Sequence, residues 1–333
     1  MERFLKSRYK IGEQIGEGPF SITYKGFILG NALPVVIKIY KRRVLNSPLI
    51  KQVKRKVKNF CTLAHPNIAK VYDGDYGWQG FYFVREYVEG RSLRELIKSG
   101  KGMEIDKVQD IGLSICEALR AAHGSDIIHG ALSQNNVFLN KEGVIKVTDF
   151  VIENSMRSAT KESAEELLQS GCFLPPERVK GELLSKRGDI YNVGLLLYNM
   201  LTSRNPFNGT SEIDIALKLV REEIFPPSKW NPNIPSYMDE IILKAMDKDP
   251  LLRFDIGELY SSLKAKGIVG RKEGGEVPTV SFEASFEEAE KLQETEKEEK
   301  KKPFISIWFW AVFVMLIFFS FLFFYFRYLL IWE

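Results

Sequence analysis

The stretch that most constrains this chain is residues 126–151, D-I-I-H-G-A-L-S-Q-N-N-V-F-L-N-K-E-G-V-I-K-V-T-D-F-V. Two short apolar runs, Val137-Phe138-Leu139 and Val144-Ile145-Lys146-Val147, flank Asn140-Lys141-Glu142-Gly143. A polar turn containing glycine between β-prone runs predicts a hairpin. A polar loop, His129 to Asn136, precedes it, and Asp149-Phe150 follows. Such a hairpin brings Asn136 and Asp149 close together at its two ends. An amide and a carboxylate so placed are oxygen ligands suited to a hard cation such as Mg²⁺.

This stretch resembles the catalytic core of the protein kinases, whose pattern is H-R-D-L-K-P-x-N followed by D-F-G. Here it reads His129-Gly130-Ala131-Leu132-Ser133-Gln134-Asn135-Asn136, then Asp149-Phe150-Val151. The histidine, the leucine and the metal-binding asparagine are present. The catalytic Asp position holds Ala131, the lysine position Ser133, the arginine position Gly130, and the last glycine of D-F-G is Val151. The resemblance therefore implies the fold while leaving no intact base or catalytic lysine. The metal ligands it implies are Asn136 and Asp149.

Upstream, I-G-E-Q-I-G-E-G-P-F-S-I-T-Y-K-G at residues 11–26 alternates apolar residues around glycines and predicts a hairpin. With Val35-Val36-Ile37-Lys38 it resembles the kinase Gly-rich loop and strand lysine. Gly16 and Gly18 match, Ser21 replaces the third glycine, and Thr23 stands where the family has Val. The nucleotide-binding positions implied are Gly16, Gly18, Lys38 and Glu86. From Gly18 to Tyr72 there is no Asp or Glu. Kinases pair the strand lysine with a Glu on the following helix. Counted back from His65-Pro66-Asn67-Ile68, that position holds Lys56, so Lys38 must find Asp149, a phosphate or water. The same stretch is rich in Lys and Arg, including Lys51, Lys54, Arg55 and Lys58, which suits either a solvated helix face or an anionic partner. Phe81 to Gly90 reads as a buried strand leaving through a hinge. Arg85, Val36 and Phe138 stand where the family has smaller or apolar residues around the adenine, so weak or absent ATP binding is expected.

Residues 105–123 have helical periodicity through Val108, Ile111, Ile115, Leu119 and Ala122 and predict a core helix. Phe173-Leu174-Pro175-Pro176-Glu177 resembles the end of a kinase activation segment. Arg187-Gly188-Asp189 and Asp249 to Phe254 also match. The resemblance implies that Glu177 pairs with Arg253 and that Asp189 pins the catalytic loop. It also implies a stacked apolar spine of Phe60, Val71, His129 and Phe150.

Cys61, Cys116 and Cys172 lie far apart without metal spacing and read as free thiols of a reducing compartment. The first ten residues have no apolar run, so no signal peptide is expected. Residues 269–303 form a charged linker, with Ser285-Phe286-Glu287-Glu288 resembling a capping box. Residues 304–326 carry no charge and are long enough to span a bilayer. Lys300, Lys301 and Lys302 before this segment keep the N-terminal side in the cytoplasm by the positive-inside rule.

The expected architecture is α+β: a two-lobed protein kinase fold with a small β-rich N-lobe over 9–88, a larger helical C-lobe over 89–268, and one C-terminal transmembrane helix. The resemblance is to bacterial Ser/Thr kinases. The expected function is that of a membrane-anchored pseudokinase acting as a signalling scaffold or regulator. The alternatives are a weakly active atypical Ser/Thr kinase using ATP and Mg²⁺, and a basic module apposed to the membrane. Expected partners are the membrane, a protein, and anionic lipid contacted through the N-lobe, with no nucleic acid.

Overall fold

Alternation along the N-terminal strands sorts their side chains into two layers. The strands are β1 (Arg3–Leu5), β2 (Tyr9–Glu17), β3 (Ser21–Ile28), β4 (Pro34–Tyr40), β5 (Val71–Gly77) and β6 (Gly80–Glu86). They form one antiparallel sheet in the order β1-β2-β3-β4-β6-β5. Val35, Ile37 and Ile39 of β4 and Tyr82 and Val84 of β6 cluster with Leu5, Tyr9 and Ile11 as an outer core. The alternate residues Tyr40, Phe81 and Phe83 belong to the main core, which continues into the helices. Register pairs Val36 with Arg85 and Lys38 with Phe83. Lys38 and Arg85 therefore share the face that looks toward the helical lobe.

The computed structural model describes residues 3–5, 7–18, 21–40, 54–55, 57–77, 80–97, 102–150, 174–182, 185–207 and 211–269. The linker and the apolar segment 304–326 lie outside the described residues. Among the described residues no helix is long and apolar enough to cross a membrane.

The hairpin read from residues 137–147 is present as β8 (Val137–Asn140) and β9 (Ile145–Val147), with β7 (Gly90–Ser92) completing a three-stranded sheet. Its turn closes through Asn140, whose Oδ1 accepts from the Val144 N–H at 2.7 Å. Gly143 has φ of 81°, a left-handed conformation that a glycine adopts without strain. The hairpin is stitched to the segment entering β5. The Ala69 N–H donates to the Val147 carbonyl at 2.9 Å, the Val147 N–H to the Asn67 carbonyl at 2.8 Å, and Asn67 Nδ2 to the Ile145 carbonyl at 2.9 Å. These bonds fix the two lobes against each other beside the loop that carries the site.

In the helical lobe, Ile105–Gly124 buries Val108, Ile111, Ile115, Leu119 and Ala122, the period-3.6 set read from the sequence. It packs on Lys186–Thr202, in which every residue from Gly188 to Leu201 is buried. A helix covered on all sides is the axis of its lobe. Ser185 caps it by accepting from the Gly188 N–H, and it stops at Ser203, whose φ of 52° is left-handed. Its crossing with Ser236–Ala245 is close: a Cβ on Gly194 would lie 2.7 Å from Met246 Cγ and 3.0 Å from Ala245 Cβ. Ile256–Ala265 closes the lobe, with Asp255 and Glu258 forming a reciprocal capping box.

Candidate functional site

Asp189, in the first turn of the central helix, is fully buried, and both of its oxygens are used. Oδ1 accepts from the Gly130 N–H at 2.7 Å, while Oδ2 accepts from the His129 N–H at 2.9 Å and lies 2.8 Å from His123 Nε2. Charge-assisted bonds to two consecutive backbone amides hold the loop His129–Asn136 in one conformation. Gly130 takes φ of 72° there. The His129 ring is held as well: Nδ1 accepts from the Ala131 N–H, so Nε2 carries the proton donated to the Thr148 carbonyl at 3.1 Å. That ring lies 4.5 Å from the Phe150 ring, and Phe150 lies 5.4 Å from Phe60. Val71 is buried in the same core, so the four spine positions are continuous in the main cluster or stacked on it.

The loop ends on Asn136, whose amide is engaged at both atoms. Oδ1 accepts from the Ser133 N–H at 2.8 Å, and Nδ2 donates to the Ala131 carbonyl at 2.7 Å. Ala131 and Ser133 are both buried. At the other end of the hairpin, Asp149 has φ of 62° and turns its carboxylate into the cleft. Arg85 Nε donates to Asp149 Oδ1 at 2.9 Å, and Lys38 Nζ lies 3.9 Å from Asp149 Oδ2. The same guanidinium donates from Nη1 to the Glu86 carbonyl at 3.0 Å. Burial alone would raise the Asp149 carboxyl; Arg85 first and Lys38 second outweigh it and hold the carboxyl well below the usual carboxylate range. The Glu86 carboxylate faces elsewhere, accepting from the Lys70 N–H at 3.0 Å and pairing with Lys146 Nζ at 3.2 Å.

Further out, Arg253 forms a fork on Glu177: Nη1 to Oε1 at 2.8 Å and Nη2 to Oε2 at 2.7 Å, with both residues buried. Its remaining donors reach the Asp247 and Arg187 carbonyls at 2.8 and 3.0 Å. All three guanidinium nitrogens thus have partners, the condition under which a buried pair can repay its desolvation.

A family profile described as a protein kinase domain matches residues 9–262. The chain belongs to the protein kinase family. A protein named as a probable serine/threonine-protein kinase of Clostridium perfringens is 35% identical over 253 residues, covering 76% of this chain and 37% of that protein. Serine/threonine-protein kinase PrkC of Bacillus subtilis is 34% identical over 255 residues, covering 76% of this chain and 39% of PrkC. The chain thus spans about two fifths of the length of the curated relatives it matches. A crystal structure of Rad53 with AMP-PNP superposes with a TM-score of 0.62 at 22% identity over 76% of this chain and 63% of that one, a likeness of fold.

Kinases of this family use ATP and Mg²⁺, so this kinase-family chain can be tested for its fit to the metal. The fit is poor. Asp149 has both oxygens facing cations, and Asn136 has its carbonyl oxygen engaged by the loop backbone. Among the described residues no group of three His, Cys, Asp or Glu side chains could hold a metal ion. Of the three partners the acid-free stretch left to Lys38, it faces Asp149, but at the longer distance. The shorter partner is Arg85, expected from sequence to crowd the adenine rather than to pair with Asp149. The signal was there: Arg85 shares its strand parity with Phe81 and Phe83 and pairs with Val36, so its charge had to enter the cleft. Lys56 and Val151 lie outside the described residues.

The glycines of the β2–β3 hairpin need no packing explanation. A Cβ on Gly16 would meet Thr23 Cβ at 3.9 Å, and one on Gly18 would meet the Ser21 carbonyl at 3.9 Å. The Gly18 N–H donates to that carbonyl at 2.8 Å. Neither glycine has a left-handed φ, and a Cβ at either position would make only ordinary van der Waals contact.

Proposed function

We propose that this kinase-family chain is a catalytically impaired member, a pseudokinase anchored in a membrane by residues 304–326, with its kinase-like part in the cytoplasm acting as a signalling scaffold or regulator. The observation that carries the reading is Ala131. At the position that the resemblance gives to the catalytic base there is a methyl group, buried beside Asn136. Loss of a positioned base costs about 10²–10⁴-fold. Ser133 in place of the lysine and the engaged Asp149 add to that loss. The membrane part of the proposal rests on the charge-free apolar run and the lysines that precede it.

The second reading is a weakly active Ser/Thr kinase, the activity carried by the names of the relatives. It is favoured by the retained framework, with the loop pinned by Asp189 and Lys38 still directed at Asp149. Phosphoryl transfer depends largely on positioning and electrostatics, so that framework gives this reading its weight. One experiment separates the two. The purified full chain in mild detergent is incubated with labelled ATP, Mg²⁺ and generic protein substrates. The pseudokinase reading expects no transfer above background. Robust transfer that disappears in Asp149→Ala would replace it with the kinase reading.

A further inference from the structure

The cleft contains a buried cation bound where the fold would place a metal ligand's charge to use. Arg85 is 7% exposed and anchored at two points, Asp149 Oδ1 and the Glu86 carbonyl. Its strand neighbours across the sheet are Val36 and Val71, both buried. A guanidinium in such a setting cannot shed its charge, and leaving the carboxylate would strand it among apolar side chains. A divalent cation approaching Asp149 would have to do so past Arg85 and Lys38, both within 4 Å of the carboxylate. An anion meets the opposite field, because Arg85, Lys38 and Asp149 together carry a net positive charge.

We infer that the Arg85 guanidinium takes the place of the divalent cation at Asp149, and that the ligand class suited to this cleft is a polyphosphate not chelated to a metal. Asp149 is then the anchor of an internal cation, and Asn136 is a brace of its own loop. The Glu86 carbonyl already accepts from Arg85, which weakens any hold on a base. Binding is therefore expected to be weak and to depend on the phosphates. The inference rests on the impaired-cleft reading, yet it fails separately: phosphate transfer overturns impairment, whereas a metal requirement for binding without transfer overturns only the substitution.

The test uses the full chain in mild detergent and three probes. Mn²⁺ alone is titrated while its free electron-paramagnetic signal is followed. A fluorescent trinitrophenyl-ATP is titrated with Mg²⁺ present and, separately, with EDTA. Inorganic tripolyphosphate is then added as competitor. The wild type is expected to leave the Mn²⁺ signal undiminished, to bind the nucleotide within about twofold equally in Mg²⁺ and in EDTA, and to release it to tripolyphosphate. Arg85→Met is expected to take up Mn²⁺ and to bind nucleotide at least about tenfold better with the metal than without it. Asp149→Asn, which leaves both cations but removes the carboxylate, is expected to tighten metal-free binding. Its folding is checked by circular dichroism, and Arg85→Met stands alone if it fails. Nucleotide bound by the wild type only with Mg²⁺, Mn²⁺ uptake by the wild type, or no nucleotide binding in either buffer would overturn the inference. Failure of tripolyphosphate to compete would overturn the ligand class.

Discussion

At the scale of single residues, charges in this protein are held by forks rather than by proximity alone. Arg253 binds Glu177 through two parallel bonds and spends its other donors on two carbonyls. Arg253→Met leaves a buried carboxylate without a counter-ion, and we predict a loss of about 3–5 kcal/mol in urea unfolding. Arg253→Lys should recover only part of it, since an ammonium cannot reproduce the fork. Asp149 gives a pH signature. Its folded pKa is depressed, so the stability it contributes is present above its unfolded value of about 3.9 and is lost as pH falls toward the lower folded value. The destabilisation caused by Asp149→Asn should thus be largest near neutrality and shrink below about pH 4, as read from denaturant midpoints across pH.

At the scale of elements, the framework around the loop depends on close crossings. The central helix Lys186–Thr202 touches its neighbours through residues without side-chain bulk. A Cβ on Gly112 of Ile105–Gly124 would lie 2.9 Å from Leu197 Cδ2, and Gly194 faces Met246 and Ala245 as closely. Gly194→Leu should cost about 1–3 kcal/mol by overpacking, seen as a lower Tm. The same helix carries Asp189, so any shift along it reaches the His129–Gly130 amides directly. The strand β6 works differently: its alternation delivers Arg85 to the cleft and Tyr82 and Val84 to the outer core. A one-residue slip would exchange the two sets.

At the scale of the whole molecule, the proposals concern charge and anchoring. The basic segment is partly answered from within: Lys54 pairs with Asp75, while Arg55 and Lys58 are exposed. We predict that a protein of residues 1–271 floats with anionic vesicles more than with neutral ones, and that added salt releases it. Each basic residue near such a surface contributes about 1 kcal/mol, so Arg55→Glu with Lys58→Glu should lower the bound fraction. Equal flotation on both lipids would remove the lipid contact and leave the basic face to a protein partner. The full chain should resist carbonate extraction from membranes, and deletion of residues 304–326 should release it.

What the sequence determined was what is local. Strand alternation, the hairpin over 137–147, the period of Ile105–Gly124 and the spaced motifs are each written within a few dozen residues, because side-chain periodicity and turn chemistry act at that range. Those motifs sufficed to imply the two-lobed fold. The absence of acids from Gly18 to Tyr72 left Lys38 with Asp149, a phosphate or water, and the fold brings it to the first. Which cation stands closest to the Asp149 carboxylate depends instead on how distant segments pack. Arg85 lies on β6 and Asp149 just beyond the end of β9, 64 residues away. Their pairing requires the β4–β6 register and the docking of the hairpin against Asn67 and Ala69 together. A charge chooses its counter-ion by distance in the closed cleft, and that distance is a property of how the lobes meet.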